Sequence, residues 1–168
     1  MSLTAAVVVR GCQSEDLPLL EWYGLFRDHR ELFADAFARH LAGDNVMLVA
    51  DLHGFPVGQA WIDLAKHRTE RVGYIWAVRV FPFLRGHRIG THLMHAAETV
   101  LSEHGYGRAE VGVEKDNAAA RRLYERLGYA LLGDAREEYG FTTPDGVRAS
   151  YAVDQWLLRK SLDGVTPR

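Results

Sequence analysis

The sequence predicts an α/β or α+β fold built on a mixed sheet. Strand-like and helix-like segments alternate along the chain, and residues 72–127 read as strand, helix, strand, helix, the parallel heart of the sheet. Both helix-like segments of that stretch stop at a glycine, Gly105 and Gly128, the usual left-handed end of a helix. With 168 residues, 48% apolar and 25% charged, the chain is expected to form one domain over its whole length. A chain of this size buries enough surface for a proper core without a disulfide or metal staple.

Each element has a local reason. Residues 6–10 are a short β-branched run and read as the first strand. Ser14 and Asp16 are candidate helix caps ahead of Leu17, Leu19, Leu20 and Trp22. A second helix fits residues 30–41, with Gly43 as its stop. Residues 45–51 and 57–64 form a hairpin around the turn at 54–56. A polar connection over 66–70 leads to residues 72–80, rich in Val, Ile, Tyr and Trp, the central strand. Residues 88–103 place Ile89, Leu93, Ala96, Ala97 and Val100 on one helical face. A strand at 109–113 and a helix at 117–127 follow. The tail has strand-like pieces at 129–132, 138–142 and 150–158, with a hairpin tip at Pro144-Asp145-Gly146.

Charge excludes some function classes. Twenty Lys and Arg against 22 Asp and Glu leave a formal charge of −2, with no basic field to attract nucleic acid or a membrane surface. No segment approaches the ~18 apolar residues of a membrane span. The apolar run in the N-terminal MSLTAAVVVRG is short for a secretory leader, and no basic residue precedes it. Cys12 stands alone, so an internal disulfide is excluded, which fits a reducing compartment. The expectation is a cytoplasmic protein with no nucleic-acid or membrane partner.

Two segments carry chemistry. Arg85-Gly86-His87-Arg88-Ile89-Gly90-Thr91 joins the central strand to an amphipathic helix. Free N–H groups of a helix's first turn, with the helix dipole, make an anion site suited to a pyrophosphate, and Arg85 and Arg88 add charge there. The segment lacks the Gly-Lys-Ser/Thr of a P-loop and the G-x-G-x-x-G of a dinucleotide fold. In the second segment Asn117 and Tyr124 lie seven residues apart and project to one side of a helix, with Ala120 leaving space between them. A phenol beside a cleft can protonate a leaving group.

Taken together, these residues resemble a known family. Val80-Phe81-Pro82-Phe83-Leu84-Arg85-Gly86-His87-Arg88-Ile89-Gly90 is similar to the V-x-P-x-x-R-G-x-G-x-G acyl-CoA pyrophosphate motif of the GNAT N-acyltransferases. Val111-Gly112-Val113, then Asn117, Ala120, Tyr124 and Gly128-Tyr129, resembles the family's strand and N-x-x-A-x-x-x-Y-x-x-x-G-[FY] pattern. The resemblance implies a mostly antiparallel mixed sheet whose two central parallel strands splay apart, flanked by helices. It implies acetyl transfer from acetyl-CoA, as co-substrate, to a primary amine of a small molecule or peptide by direct attack in a ternary complex. Backbone groups at Arg79 and Val80 would meet the pantetheine arm. Arg85, Gly86, His87, Arg88, Ile89, Gly90 and Thr91 would hold the pyrophosphate, Asn117 would contact the cofactor or fix the helix start, and Tyr124 would protonate the departing thiolate. Arg88 stands where the motif usually has glycine; it is accommodated there if it holds a helical φ.

The base that takes the amine's proton is open. Some family members carry a glutamate where this chain has Gly112. Glu110 and Glu114 share that strand parity and are the candidates, with Glu70 and a water relay as alternatives. Tyr74 and Trp76 share a strand face that could line the acceptor site. The missing glutamate also motivates a second function class, a non-catalytic acyl-CoA-binding sensor or assembly module. His92, His95 and Glu98 imitate a metal triplet, but no HExxH or Cys cluster supports one, so a solvated helix face and no metal are expected. Family members often pair through sheet edges or the terminal hairpin, which leaves a homodimer open.

Overall fold

The computed structural model describes residues 6–143 and 145–163. Residues 1–5, part of the segment read for a leader, and Pro144 of the expected hairpin tip lie outside the described residues. Seven strands form one sheet in the order β1-β2-β3-β4-β5-β7-β6. They are β1 (Val7–Gly11), β2 (Asn45–Leu52), β3 (Phe55–His67), β4 (Val72–Val80), β5 (Arg108–Glu114), β6 (Ala130–Thr142) and β7 (Arg148–Ser161). Every neighbouring pair is antiparallel except β4 and β5. The helices are α1 (Asp16–Leu19), α2 (Arg30–Ala42), α3 (Ile89–Glu103) and α4 (Ala118–Arg126).

Strand alternation divides the core between two faces. Ala60, Ile62, Ile75, Val111 and Val113 pack with Leu93, Ala97 and Leu101 of α3 and Tyr124 of α4. Met47, Val49 and Trp61 pack on the other face with Leu20, Phe33 and Ala36. Gly73 lets α3 approach β4 closely, since a Cβ there would lie 1.9 Å from the fully buried Leu101 Cδ2.

Three local departures have physical causes. The first helix is only four residues long. Asp16 does not cap it; its carboxylate turns back to the Arg10 guanidinium and the Gln13 N–H, and left-handed Trp22 and Tyr23 end helical geometry soon after. The separate pieces expected at 129–132 and 138–142 are one strand, β6, because its pairing with β7 continues across a bulge between Leu131 and Gly133. Glu98 does not lie on a solvated face: it is buried and paired with Lys160 at 3.0 Å and with the Tyr129 hydroxyl at 3.0 Å, while His92 and His95 are exposed. No helix among the described residues is long and apolar enough to cross a membrane.

Candidate active site

The parallel ladder between β4 and β5 is short. It runs from Val72↔Arg108 to Ile75↔Val111 and stops. On its other side β4 gains an extra residue against β3, where Trp76 and Arg79 oppose Trp61 and Gln59. Ala77 sits in that bulge with φ +50°. A bulge bends its strand and sharpens the twist, while β5 continues straight along β7 as far as Glu114↔Gln155. The two central strands therefore part beyond Ile75 and Val111. The far half of β4 is left without a ladder partner on that side, as the splay expectation required.

A cleft of about 160 Å³ fills the gap. β4 lines it with Tyr74 and residues 76–79, β5 with residues 111–114, and α4 with Asn117, Ala120 and Tyr124; Tyr139, Tyr151 and Gln155 close it from the β6–β7 hairpin. Asn117 caps α4, its side chain accepting from the Ala120 N–H at 3.1 Å. Tyr124 is buried against Tyr129, and its hydroxyl has no hydrogen-bond partner among the described residues. Burial pushes the Tyr124 phenol up, so it stays protonated at neutral pH. Burial also raises the Tyr74 and Tyr139 phenols. Tyr74 and Trp76 both line the cleft.

The two candidate glutamates part company. Glu114 lines the cleft. Glu110 is buried and held by Arg159, whose Nε donates to it at 2.8 Å, and it is absent from the cleft lining. A carboxylate so held by a guanidinium is a poor general base. Glu70 precedes β4, away from the splay, and accepts from the Thr69 hydroxyl. The glycine at 112 also has a cause. A Cβ there would lie 2.0 Å from Gln155 Oε1 and 2.6 Å from the Tyr74 hydroxyl, so those polar groups occupy the space a side chain would need.

The turn after β4 leads into the N-terminus of α3. Arg85, Gly86, His87 and Arg88 are exposed, and Thr91 is half-buried. Ile89 is buried and anchors the first turn. No side chain caps that turn, so its N–H groups stay open to an anion. His87 Nδ1 lies 3.1 Å from the carbonyls of Leu84 and Arg85 and braces the turn. Arg88 does not hold the helical φ expected of it. It sits at φ +62°, ψ +15°, left-handed. The chain reverses here from the turn into α3, which is why glycine suits the position. Val80, at the end of β4, is half-buried against the core.

Sequence reasoning used only the backbone of Arg79. Its side chain matters too: the guanidinium lies 4.5 Å from the Phe26 ring centroid and faces the cleft. An arginine in an otherwise apolar strand was the available signal.

Residues 14–129 match the model of the acetyltransferase (GNAT) family, more than half of the chain. The chain belongs to the GNAT acetyltransferase family. It is 39% identical over 88 residues to a mycothiol acetyltransferase of Brachybacterium faecium, covering 52% of this chain and 27% of that protein. A mycothiol acetyltransferase of Beutenbergia cavernae is 31% identical over 103 residues, covering 61% and 29%. The match thus spans little more than a quarter of these relatives' length. Among solved structures, an N-acetyltransferase from Staphylococcus aureus Mu50 superposes with TM-score 0.74 at 15% identity, covering 95% of this chain and all of that one. The PaiA N-acetyltransferase of Thermoplasma acidophilum, in complex with coenzyme A, gives 0.70 at 15% identity over 93% and 99%. The ribosomal-protein-S18-alanine N-acetyltransferase of Escherichia coli gives 0.70 at 18% over 96% and 97%. These likenesses establish the fold.

Proposed function

We propose that this GNAT chain works as one acetyl-CoA-dependent N-acetyltransferase domain acting on a primary amine. The observation that carries the reading is the splay itself: unpaired β4 backbone and a Tyr124 hydroxyl without a partner among the described residues share one cleft, and the uncapped α3 N-terminus follows the end of β4, with Gly90 close to Val80 and Leu123. Residues 85–91 would hold the pyrophosphate through backbone N–H groups and the Arg85 and Arg88 charges. The unpaired edge of β4 near Arg79 and Val80 would receive the pantetheine amides, and an N–H there would stabilise charge developing on the thioester oxygen. Acetyl-CoA supplies the activated acetyl group.

The chain's residues then manage protons. The amine attacks the thioester carbon, the carbon–sulfur bond breaks, and Tyr124 donates its proton to the leaving sulfur. A phenol of ordinary pKa ~10, raised further by burial, is protonated at neutral pH and recovers its proton from solvent. An alkylamine of pKa ~10.4 is mostly charged at pH 7, so it must lose a proton before attack. Glu114 is the carboxylate in the cleft for that task, directly or through water. Acetyl-CoA and amine panels test the reading through thiol release. Amine-dependent release supports it. Acyl-CoA binding without transfer to any amine would instead favour a sensor or assembly module.

A further inference from the structure

The cleft holds a charged group that the protein leaves without a partner. Arg10, Arg39 and Arg159, each partly buried, all meet a carboxylate. Among the described residues Arg79 meets none, and its Nη1 is sealed from solvent with no acceptor. Leaving a buried guanidinium unpaired is unfavourable unless something else supplies the anion. The Phe26 ring packs against it, its centroid 4.5 Å from the guanidinium.

The surroundings are arranged for a guest. Tyr139, Tyr151, Gln155, Leu32 and Trp76 line the cleft around Arg79. Gln155 Oε1 is also buried and unpartnered. Glu114 lines the same cleft and its charge acts on Arg79, but the two form no ion pair. His29, on the Phe26 side, is kept neutral by burial and by the Arg79 charge, so it adds no competing cation. Nothing else in the lining is cationic.

Resting on the acetyltransferase reading, we propose that the acceptor is a small amine bearing a carboxylate, which Arg79 binds while the amine faces Tyr124. A guanidinium's planar fork matches the two oxygens of a carboxylate. A lone guanidinium, with no lysine in the lining and the α4 N-terminus already capped by Asn117, suits a carboxylate better than a phosphate. A free amino acid and an acidic residue at a peptide's N-terminus share this chemistry.

The test is calorimetry with CoA in excess, on matched pairs: alanine and alaninamide, 4-aminobutyrate and its amide, and Asp-Ala-amide and Asn-Ala-amide. At least one acid binds between about ten- and a hundredfold tighter than its neutral twin, the range of a charge-assisted hydrogen bond. The pair that shows it separates a free acid from a peptide. Arg79→Gln removes the difference, and Arg79→Lys keeps part of it. Equal binding within every pair, no binding by any acid, or an acid preference that survives in Arg79→Gln overturns the proposal. The wild-type pairs decide even if a variant folds poorly. Thiol release, followed separately, keeps the two readings apart. Acids that bind selectively but accept no acetyl group refute the transferase and leave the carboxylate site standing. Amides acetylated as well as acids do the reverse.

Discussion

Arg88→Gly should stabilise the protein. Arg88 is held at φ +62°, a conformation that costs a side-chain-bearing residue roughly 1–2 kcal/mol. Glycine removes that strain but adds freedom to the unfolded chain, worth about 0.4–1 kcal/mol. The arginine side chain is exposed and makes no ion pair or hydrogen bond among the described residues, so no contact is lost. The net gain lies between about 0 and 1.6 kcal/mol, or up to roughly 6 °C in Tm for a chain of this length. Urea and thermal unfolding without CoA measure it. Arg88→Ala is the control, because it loses the same charge and keeps the strain. If Arg88→Gly is no more stable than Arg88→Ala, the strain argument is wrong. Acetyl-CoA affinity in the same two variants reports the phosphate role: both weaken if the guanidinium meets the pyrophosphate.

Four further outcomes follow from named contacts. Tyr124→Phe keeps the packing against Tyr129 but removes the proton donor, and should lower kcat about a hundredfold or more with little change in Tm. Gly73→Ala drives a methyl into Leu101 and should cost about 1–3 kcal/mol in urea unfolding. Lys160→Met leaves the buried Glu98 charge without its cation and should destabilise by about 3–5 kcal/mol, read the same way. Burial pushes the Asp16 carboxyl up, but Arg10 and the Gln13 N–H outweigh it and hold it below the usual range. That contribution is complete above the unfolded value of ~3.9 and is lost as pH falls below it. Melting from pH 7 to pH 3 should therefore show a steeper acid limb in wild type than in Asp16→Asn.

How far the sequence can be read depends on the range of the interactions. The α3 and α4 helices were legible because their apolar spacing, glycine stops and the Asn117 cap are local. So was the β4–α3–β5–α4 order. The α1 region was less so, since Asp16 carries a capping residue's chemistry but spends it on Arg10, across a turn. The continuous β6–β7 ribbon depends on cross-strand pairing that neither strand reveals alone. At the site, motif spacing brought out Tyr124 and Asn117, while residues that converge from distant strands escaped. Tyr139, Tyr151 and Gln155 come from the far hairpin. The different fates of Glu110 and Glu114 turn on Arg159, 49 residues from Glu110 in the chain. Parity placed both on one face; only the partner strand decided which one faces the cleft.

The central claim is that the parted strands receive acetyl-CoA, and calorimetric titration of the purified chain tests it most directly. The account predicts one site per chain with micromolar affinity, weakened when Arg85 is replaced by alanine. Absence of binding in both the wild type and Arg88→Gly would contradict it.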